Sequence, residues 1–210
     1  MIKTFINQND IVIDAGAHLG DWSECVIHHT NSDCSLHSFE PIPDFFDILN
    51  NKFGKKSKCN NKALGRTDNE ILINYYFVIN EGCSSLFERK ALSDIPVKKI
   101  IINVTSLDKY CEINNIKKIN YLKIDVEGAE LDLILGANKL ISNKSINFIQ
   151  FEYGGTFPDA NITLKQIYEY LSAKDYSIFR ITPDGLIYIP VWRDVLENYD
   201  LCNYLAVLKD

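Results

Sequence analysis

Four carboxylates, Asp14, Glu40, Asp125 and Glu152, each close a short apolar run of strand length. In a parallel sheet the carboxyl ends of the strands share one edge, so these acids converge on one crevice. The density is highest in Asp125-Val126-Glu127-Gly128-Ala129-Glu130, which carries three acids in six residues. Like charges this close repel one another and raise at least one pKa, a poor recipe for packing. Clusters of that kind at strand ends mark functional sites. A crevice so lined repels an anionic phosphoryl donor unless a metal intervenes. It attracts a cation that carries hydrogen-bond donors.

The first of these acids leads into a glycine-bearing turn, Asp14-Ala15-Gly16-Ala17-His18-Leu19-Gly20, and then into a helix from Asp21 to His29 with Trp22, Cys25 and Val26 on one side. Strand, tight loop and helix in succession open a nucleotide-binding α/β unit. Gly16 lets the backbone approach a ligand, and Gly20 lets the helix start pack near the strand. The helix start offers N–H groups to an anionic part of a ligand. Ionised Asp14 accepts hydrogen bonds only, which suits a donor-rich ligand or the loop's own N–H groups. Glu40, about 20 residues past the loop, stands where such folds place the acid that binds both ribose hydroxyls. The dinucleotide pattern G-x-G-x-x-G is absent, and no Gly-Lys-Ser/Thr closes a phosphate loop. On charge, a sulfonium cofactor, S-adenosyl-L-methionine (SAM), fits this crevice better than ATP or NAD. The plain alternative for the loop is an ordinary turn in an unrelated α/β protein.

The elements that would position these residues follow in order. Cys34 to Phe39 is the second strand, stopped by Pro41 and Pro43. The helix to Phe53 buries Phe45, Phe46, Leu49 and Phe53. Ser57 to Leu64 holds the third strand, whose end, Asn61 to Gly65, would lie beside the base. Ile71 to Val78 is a further strand, followed by a polar loop from Asn80 to Leu86. Lys99 to Val104 forms another, and Thr105 caps the helix after it, with Asp108 three residues on. Ile119 to Asp125 leads through Gly128 into a helix running to about Ile141. After the strand Phe148 to Phe151, Thr163 to Gln166 is a capping box for a helix to Ala173. Tyr176 to Ile181, a Pro183-Asp184-Gly185 turn, Leu186 to Ile189 and Tyr204 to Leu208 complete the chain with a hairpin and a terminal strand.

Bulk properties narrow the function. A length of 210 residues, 46% hydrophobic and 24% charged, suits one soluble domain with a full core. A net charge of -6 argues against an electrostatic nucleic-acid binder. Lys52, Lys55, Lys56, Lys58 and Lys62 read as a solvated helix end and loop. No run is long enough to span a bilayer, and the first residues do not form a signal peptide. The six cysteines show no C-x-x-C pair and no zinc spacing. They are expected to be reduced and structural, which implies an intracellular, cytoplasmic chain.

Several runs together resemble FkbM-type methyltransferases, a class I SAM-dependent family. They are Val12 to Gly20, Phe39-Glu40-Pro41, Ala63-Leu64-Gly65, Ser84-Ser85-Leu86, Ser106-Leu107-Asp108, Lys123 to Glu130, Leu135-Gly136-Ala137 and Phe151-Glu152. The resemblance implies an α/β, Rossmann-like, doubly wound and mostly parallel seven-stranded sheet, with helices on both faces and a terminal antiparallel hairpin. It implies one domain over 1–210, with a cofactor-binding core at 11–152 and the acceptor side at 153–210. It also implies that Asp14, Gly16, Ala17, His18 and Gly20 hold the methionine end, Glu40 and Pro41 the ribose, and Ala63 the adenine border. Asp125 then stands beside the transferred methyl, and Ser84 and Ser85 near cofactor or acceptor. Members resembling this chain are mostly O-methyltransferases of sugar or polyketide hydroxyls.

The expected chemistry is methyl transfer from SAM to an acceptor oxygen of a glycan or other small molecule. A hydroxyl acceptor gains from a base within hydrogen-bond reach. Asp125, Glu127 and Glu152 are the candidates, with Glu127 first for base and Asp125 for cofactor orientation. Glu130 is expected to hold its loop, and His18 to meet the cofactor through its backbone. No spacing demands a metal. A nicotinamide-dependent oxidoreductase and a catalytically silent SAM-binding module are the alternatives; an RNA methyltransferase is disfavoured by the charge.

Overall fold

The computed structural model describes residues 1–78, 81–85, 94 and 96–209. In chain order it begins with α1 (Ile2–Phe5), β1 (Ile11–Ala15), α2 (Asp21–His29), β2 (Ser35–Phe39), α3 (Pro43–Phe53) and β3 (Lys58–Asn60). Next come β4 (Ala63–Gly65), β5 (Asn69–Val78), β6 (Glu81–Ser85), β7 (Val97–Ser106) and α4 (Leu107–Ile113). The chain continues through β8 (Ile119–Ile124), α5 (Glu130–Gly136), α6 (Asn138–Ser142), β9 (Ile146–Tyr153) and α7 (Thr156–Ala160). It ends with α8 (Leu164–Ser172), β10 (Tyr176–Thr182), β11 (Gly185–Ile189) and β12 (Cys202–Leu208).

The main sheet has the order β11-β10-β12-β9-β8-β1-β2-β3. From β9 to β3 every pairing is parallel; β12 joins β9 antiparallel, and β10 and β11 continue antiparallel. The doubly wound, mostly parallel architecture is therefore present, with the hairpin strand β11 standing as an eighth strand outside the expected seven. Central strands lie between two helical layers, so their apolar runs are buried on both faces. Val12, Leu36, Tyr121 and Leu205 pack with Val26 and Ile27 of α2 and with Leu49 and Phe53 of α3 on one face. Ile13, Phe39 and Leu122 pack with Leu107, Tyr110, Leu133 and Ile134 on the other.

The structure corrects several local expectations. Ser57 to Leu64 is not one strand: a turn at Asn61-Lys62 separates β3 from β4, which belongs to a second sheet of order β4-β7-β5-β6. Asn61 fixes that turn, its Nδ2 donating to the carbonyls of Glu40 and Pro41 at 3.0 and 3.1 Å. The expected loop from Asn80 to Leu86 contains a strand, β6, paired antiparallel with β5; Asn80 and Leu86 themselves lie outside the described residues. β7 runs on to Ser106, which caps α4 through its Oγ; Thr105 instead donates to Asp68 at 2.6 Å. The helix expected to reach Ile141 breaks at Ala137. Asp108 supplies the new start, its carboxylate accepting the amides of Lys139 at 2.8 Å and Leu140 at 3.0 Å. On α2 the buried residues are Ser23, Val26 and Ile27, whereas Cys25 is exposed.

Candidate active site

Register brings the acids together. Asp14 lies opposite Lys123 in the β1–β8 pairing, and the Asp125 amide donates to the Ala15 carbonyl at 3.0 Å. Asp14 is fully buried, and its Oδ2 accepts from Ser23 Oγ at 2.7 Å. That serine continues a chain of hydroxyls through Ser38 at 2.9 Å and Ser57 at 2.8 Å. The other carboxylate oxygen, Oδ1, stands 3.4 Å from Lys123 Nζ, which is itself 3.1 Å from Asp125 Oδ2. Burial alone would depress the lysine pKa, but attraction to Asp14 and Asp125 outweighs it and holds the ammonium above its usual value. Asp14 thus ties the glycine loop to α2 through Ser23 and to β8 through Lys123.

Both loop glycines answer to steric demands of the fold. Gly16 has φ +78°, and a Cβ there would sit 1.7 Å from the Asp125 carbonyl oxygen. What needs its missing side chain is the neighbouring strand end. Gly20, at φ +86°, packs against Phe53 and Leu49 of α3, where a Cβ would fall 2.6 Å from the phenyl ring. It therefore seats α2 against α3.

Above the carboxyl ends of β1, β2 and β8 lies a cavity of about 380 Å³, closed on its far side by the second sheet. That volume is in the range of pockets for small organic ligands. Gly16, His18, Glu40, Pro41, Ala63, Asp125 and Glu127 line it, whereas Asp14, Ala17, Gly20 and Glu152 do not. The side chains of Ser84 and Ser85, on β6, lie outside the described residues.

Glu40 is 4% exposed, with Oε2 accepting the His18 amide and Oε1 the Ile42 amide, each at 2.8 Å. Burial pushes its pKa up to about 7, against the pull of those two amides and with help from Asp14. Each oxygen keeps lone-pair capacity for a further donor. His18 adopts φ +51°, sets its ring edge-on to Phe45 at 4.3 Å, and leaves a buried Nε2 with no hydrogen-bond partner among the described residues. Burial lowers the pKa of this imidazole, partly opposed by Asp21 and Asp125. An orphaned ring nitrogen and a buried carboxylate with acceptor capacity on one cavity wall suit a ligand that carries hydroxyls.

The second acidic turn is built differently from the first. Glu130 is 1% exposed and folds back to accept the amides of Gly128 at 3.0 Å and Val126 at 3.2 Å. Burial raises its pKa to about 7 despite those bonds. It holds the turn, while Glu127, at φ +55°, faces the cavity. A non-glycine residue in this left-handed region is a strain that persists only where the surroundings impose it. Glu152 lies within β9, one residue before its end, rather than beyond it. Burial first, then Asp125, Glu127 and Glu130, raise its pKa to about 8, opposed by Lys123.

Part of the wall belongs to no sequence motif. Ile71 and Ile73 of β5 and Ile102 and Val104 of β7 form an apolar face, and Arg66, Thr67, Asn69 and Asp132 add polar groups. The isoleucine alternation at 71 and 73 marks a one-sided strand, which was the available clue to a wall.

Among known proteins, the profile described as Methyltransferase FkbM domain matches residues 14–178. Methyltransferase 1 of Beauveria bassiana is 26% identical over 150 residues, covering 61% of this chain and 58% of that protein. The hexuronic acid methyltransferase AglP of Haloferax volcanii is 26% identical over 151 residues, covering 69% of this chain and 56% of its own length. The chain thus spans little more than half the length of these curated relatives. The crystal structure of methyltransferase FkbM from Methylobacillus flagellatus shares the fold, with a TM-score of 0.59 at 16% identity over 97% of this chain and 47% of that one. With the matched segment 14–178 taking in most of the 210 residues, the chain belongs to the FkbM methyltransferase family, whose cofactor is SAM.

Proposed function

We propose that the chain transfers a methyl group from SAM to a hydroxyl oxygen of a sugar, glycan or other small molecule. The observation that carries this reading is Glu40, a buried carboxylate facing a nucleoside-sized cavity between the glycine loop and the second sheet. When bound, SAM supplies an electrophilic methyl on a sulfonium leaving group. Glu40 accepts from the ribose hydroxyls, and Pro41 and Ala63 border the sugar and base. Gly16, Ala17 and His18 present the loop to the methionine end, with Asp14 and Gly20 holding that loop in place. Lys123 fixes Asp125, and the surrounding carboxylates favour a cation over an anion.

The acceptor hydroxyl needs a base. Glu127 faces the cavity; Glu152 stands outside it, and its pKa of about 8 matches the task of taking a proton near neutrality. Its place on the cavity wall keeps Glu127 first for base, with Glu152 the second candidate. The sugar class draws support from the hexuronic acid named for one relative. Ser84, Ser85 and the segment 153–210 are assigned to the acceptor side.

The test uses methyl-labelled SAM with a panel of glycans and small hydroxyl compounds, read by mass spectrometry. Label is expected on an acceptor oxygen, and Glu127→Gln should lower turnover with SAM affinity largely kept. A titration with SAM or S-adenosyl-L-homocysteine that shows no binding would sink the assignment.

A further inference from the structure

We infer that Asn203 and Glu152 together hold the hydroxyl next to the one that is methylated, so that the acceptor is a vicinal diol. This rests on the methyl-transfer reading above and deepens it, through a residue, Asn203, that belongs to no sequence motif. Three side chains form a row across the sheet. Ile124 pairs with Phe151 in the β8–β9 register, and Glu152 pairs with Asn203 in the β9–β12 register. Asp125, Glu152 and Asn203 therefore come at one level on three neighbouring chain segments, about 5 Å from one to the next. Lys123 lies opposite Gln150, two residues below that level, and residues two apart on a strand share a face. The row thus stands on the side of the sheet where Lys123 meets the Trp22 ring of α2.

A buried relay sets the sense of the Asn203 amide. The Tyr121 hydroxyl, on a fully buried ring, donates to Gln150 Oε1 at 2.6 Å, and Gln150 Nε2 donates to Asn203 Oδ1 at 2.9 Å. Gln150 is the one hydrogen-bond partner of that hydroxyl among the described residues, and a buried O–H without an acceptor is costly, so the relay runs in this direction. With its oxygen engaged, Asn203 keeps an Nδ2 donor that has no acceptor among the described residues. Beside it, Glu152 is half-buried and makes no hydrogen bond to another described residue. An unused donor and an unused acceptor thus stand side by side where β9 ends and β12 begins. A hydroxyl satisfies both at once, giving its proton to the carboxylate and accepting from the amide; an ether oxygen or a hydrogen does not. In the methyl-transfer reading Asp125 stands beside the transferred methyl, one strand spacing from Glu152. Hydroxyls on adjacent carbons lie closer together than that spacing, so an oxygen reacting beside Asp125 puts its neighbour within reach of Glu152 and Asn203.

The experiment gives methyl-labelled SAM and the methyl glycosides of D-glucose, D-galactose and D-mannose, each beside its monodeoxy analogues, to the full chain and to Asn203→Ala and Asn203→Asp. Turnover is read by mass spectrometry and glycoside Kd by saturation-transfer NMR. For the unaltered chain, replacing the hydroxyl next to the methylated one by hydrogen should cost about tenfold or more in kcat/KM, or in Kd. Asn203→Ala should raise KM for the diol about tenfold while kcat stays within about threefold, and the deoxy penalty should shrink by about threefold or more. Asn203→Asp keeps the oxygen that Gln150 bonds and lacks the donor, so it should match Asn203→Ala, with S-adenosyl-L-homocysteine affinity and melting temperature close to those of the unaltered chain. A deoxy penalty that persists undiminished in both variants overturns the inference. So does equal use of the diol and its deoxy analogues by the unaltered chain. A chain that binds S-adenosyl-L-homocysteine but neither methylates nor binds any of these glycosides overturns it too, and leaves the cofactor reading standing. Failure to bind S-adenosyl-L-homocysteine overturns the cofactor reading, and this inference with it.

Discussion

If Glu40 binds the ribose as a carboxylate, affinity for S-adenosyl-L-homocysteine must fall as that carboxylate takes up a proton. Its pKa in the free protein is raised to about 7 by burial. For a ligand that needs the ionised form, the apparent Kd scales as one plus the ratio of protonated to ionised Glu40. With a pKa of about 7 that factor is about 11 at pH 6 and about 1.1 at pH 8, a change of about tenfold, or ~1.4 kcal/mol. The thioether ligand is the better probe, because it lacks the sulfonium charge to which the other acids respond. Calorimetry at pH 6, 7 and 8, repeated in buffers of different ionisation enthalpy, yields both the affinity and the protons released. Close to pH 7, binding should release a fraction of one proton. Glu40→Gln should flatten the pH dependence and weaken binding at pH 8 by roughly 10- to 100-fold, the worth of charge-assisted hydrogen bonds. A wild-type Kd unchanged from pH 6 to pH 8, or the same slope in Glu40→Gln, would refute the reasoning.

Other expectations follow from the same geometry. Gly16→Ala places a methyl 1.7 Å from the Asp125 carbonyl at φ +78°, so it should destabilise the fold by more than ~1 kcal/mol in urea denaturation and weaken cofactor binding. Lys123→Met strips the buried Asp14 of its cation and should cost ~3–5 kcal/mol of stability; a loss under ~1 kcal/mol would show that the ion pair is not what holds Asp14. Glu152 has a folded pKa of about 8, above its ordinary 4.5, so the stability it contributes is full below about pH 4.5 and lost as pH rises through about 8. Glu152→Gln should therefore raise the melting temperature of the ligand-free chain at pH 8.5 relative to wild type, with the gap closing toward pH 5.

The legible parts of the fold were those where one short segment carried the whole instruction. The Val12-Ile13 and Leu122-Lys123-Ile124 runs could only be central strands, and Gly16 and Gly20 could only be turns beside them. The chain's second sheet was harder to see because its strands are set by partners distant in sequence. Nothing local in Ser57 to Leu64 says that Asn61 bonds back to the Glu40 and Pro41 carbonyls, yet that contact separates β3 from β4. The same holds for Asp108, which lies in the first turn of one helix and caps another about thirty residues on, where α5 and α6 part. At the site, residue types were legible and their directions were not. Asp14 lies one residue inside the end of β1 and Glu40 just past the end of β2; the Ser23 hydroxyl draws Asp14 inward while the His18 and Ile42 amides fix Glu40 on the cavity wall. Arg66 and Asp132 belong to no motif, because they meet only when α5 packs on β4.

The electrostatics of the site make sense as a division between acids that are neutralised and acids that are left waiting. Lys123 serves Asp14 and Asp125 together, and the Gly128 and Val126 amides serve Glu130. Glu40 has two amides and still sits near pKa 7, and Glu152 sits near 8, each raised first by burial. Such groups weaken the ligand-free fold as pH rises, so a protein that keeps them gains something else from their charge. A cation entering the crevice lowers these pKa values by attraction, and hydroxyls donating to Glu40 lower its pKa further. The stability forgone in the free protein is then recovered as binding energy for a positively charged, hydroxyl-bearing ligand. An anionic dinucleotide would deepen the same penalty, which is why the placement of charge, more than the glycine loop itself, separates the sulfonium cofactor from its nucleotide rivals.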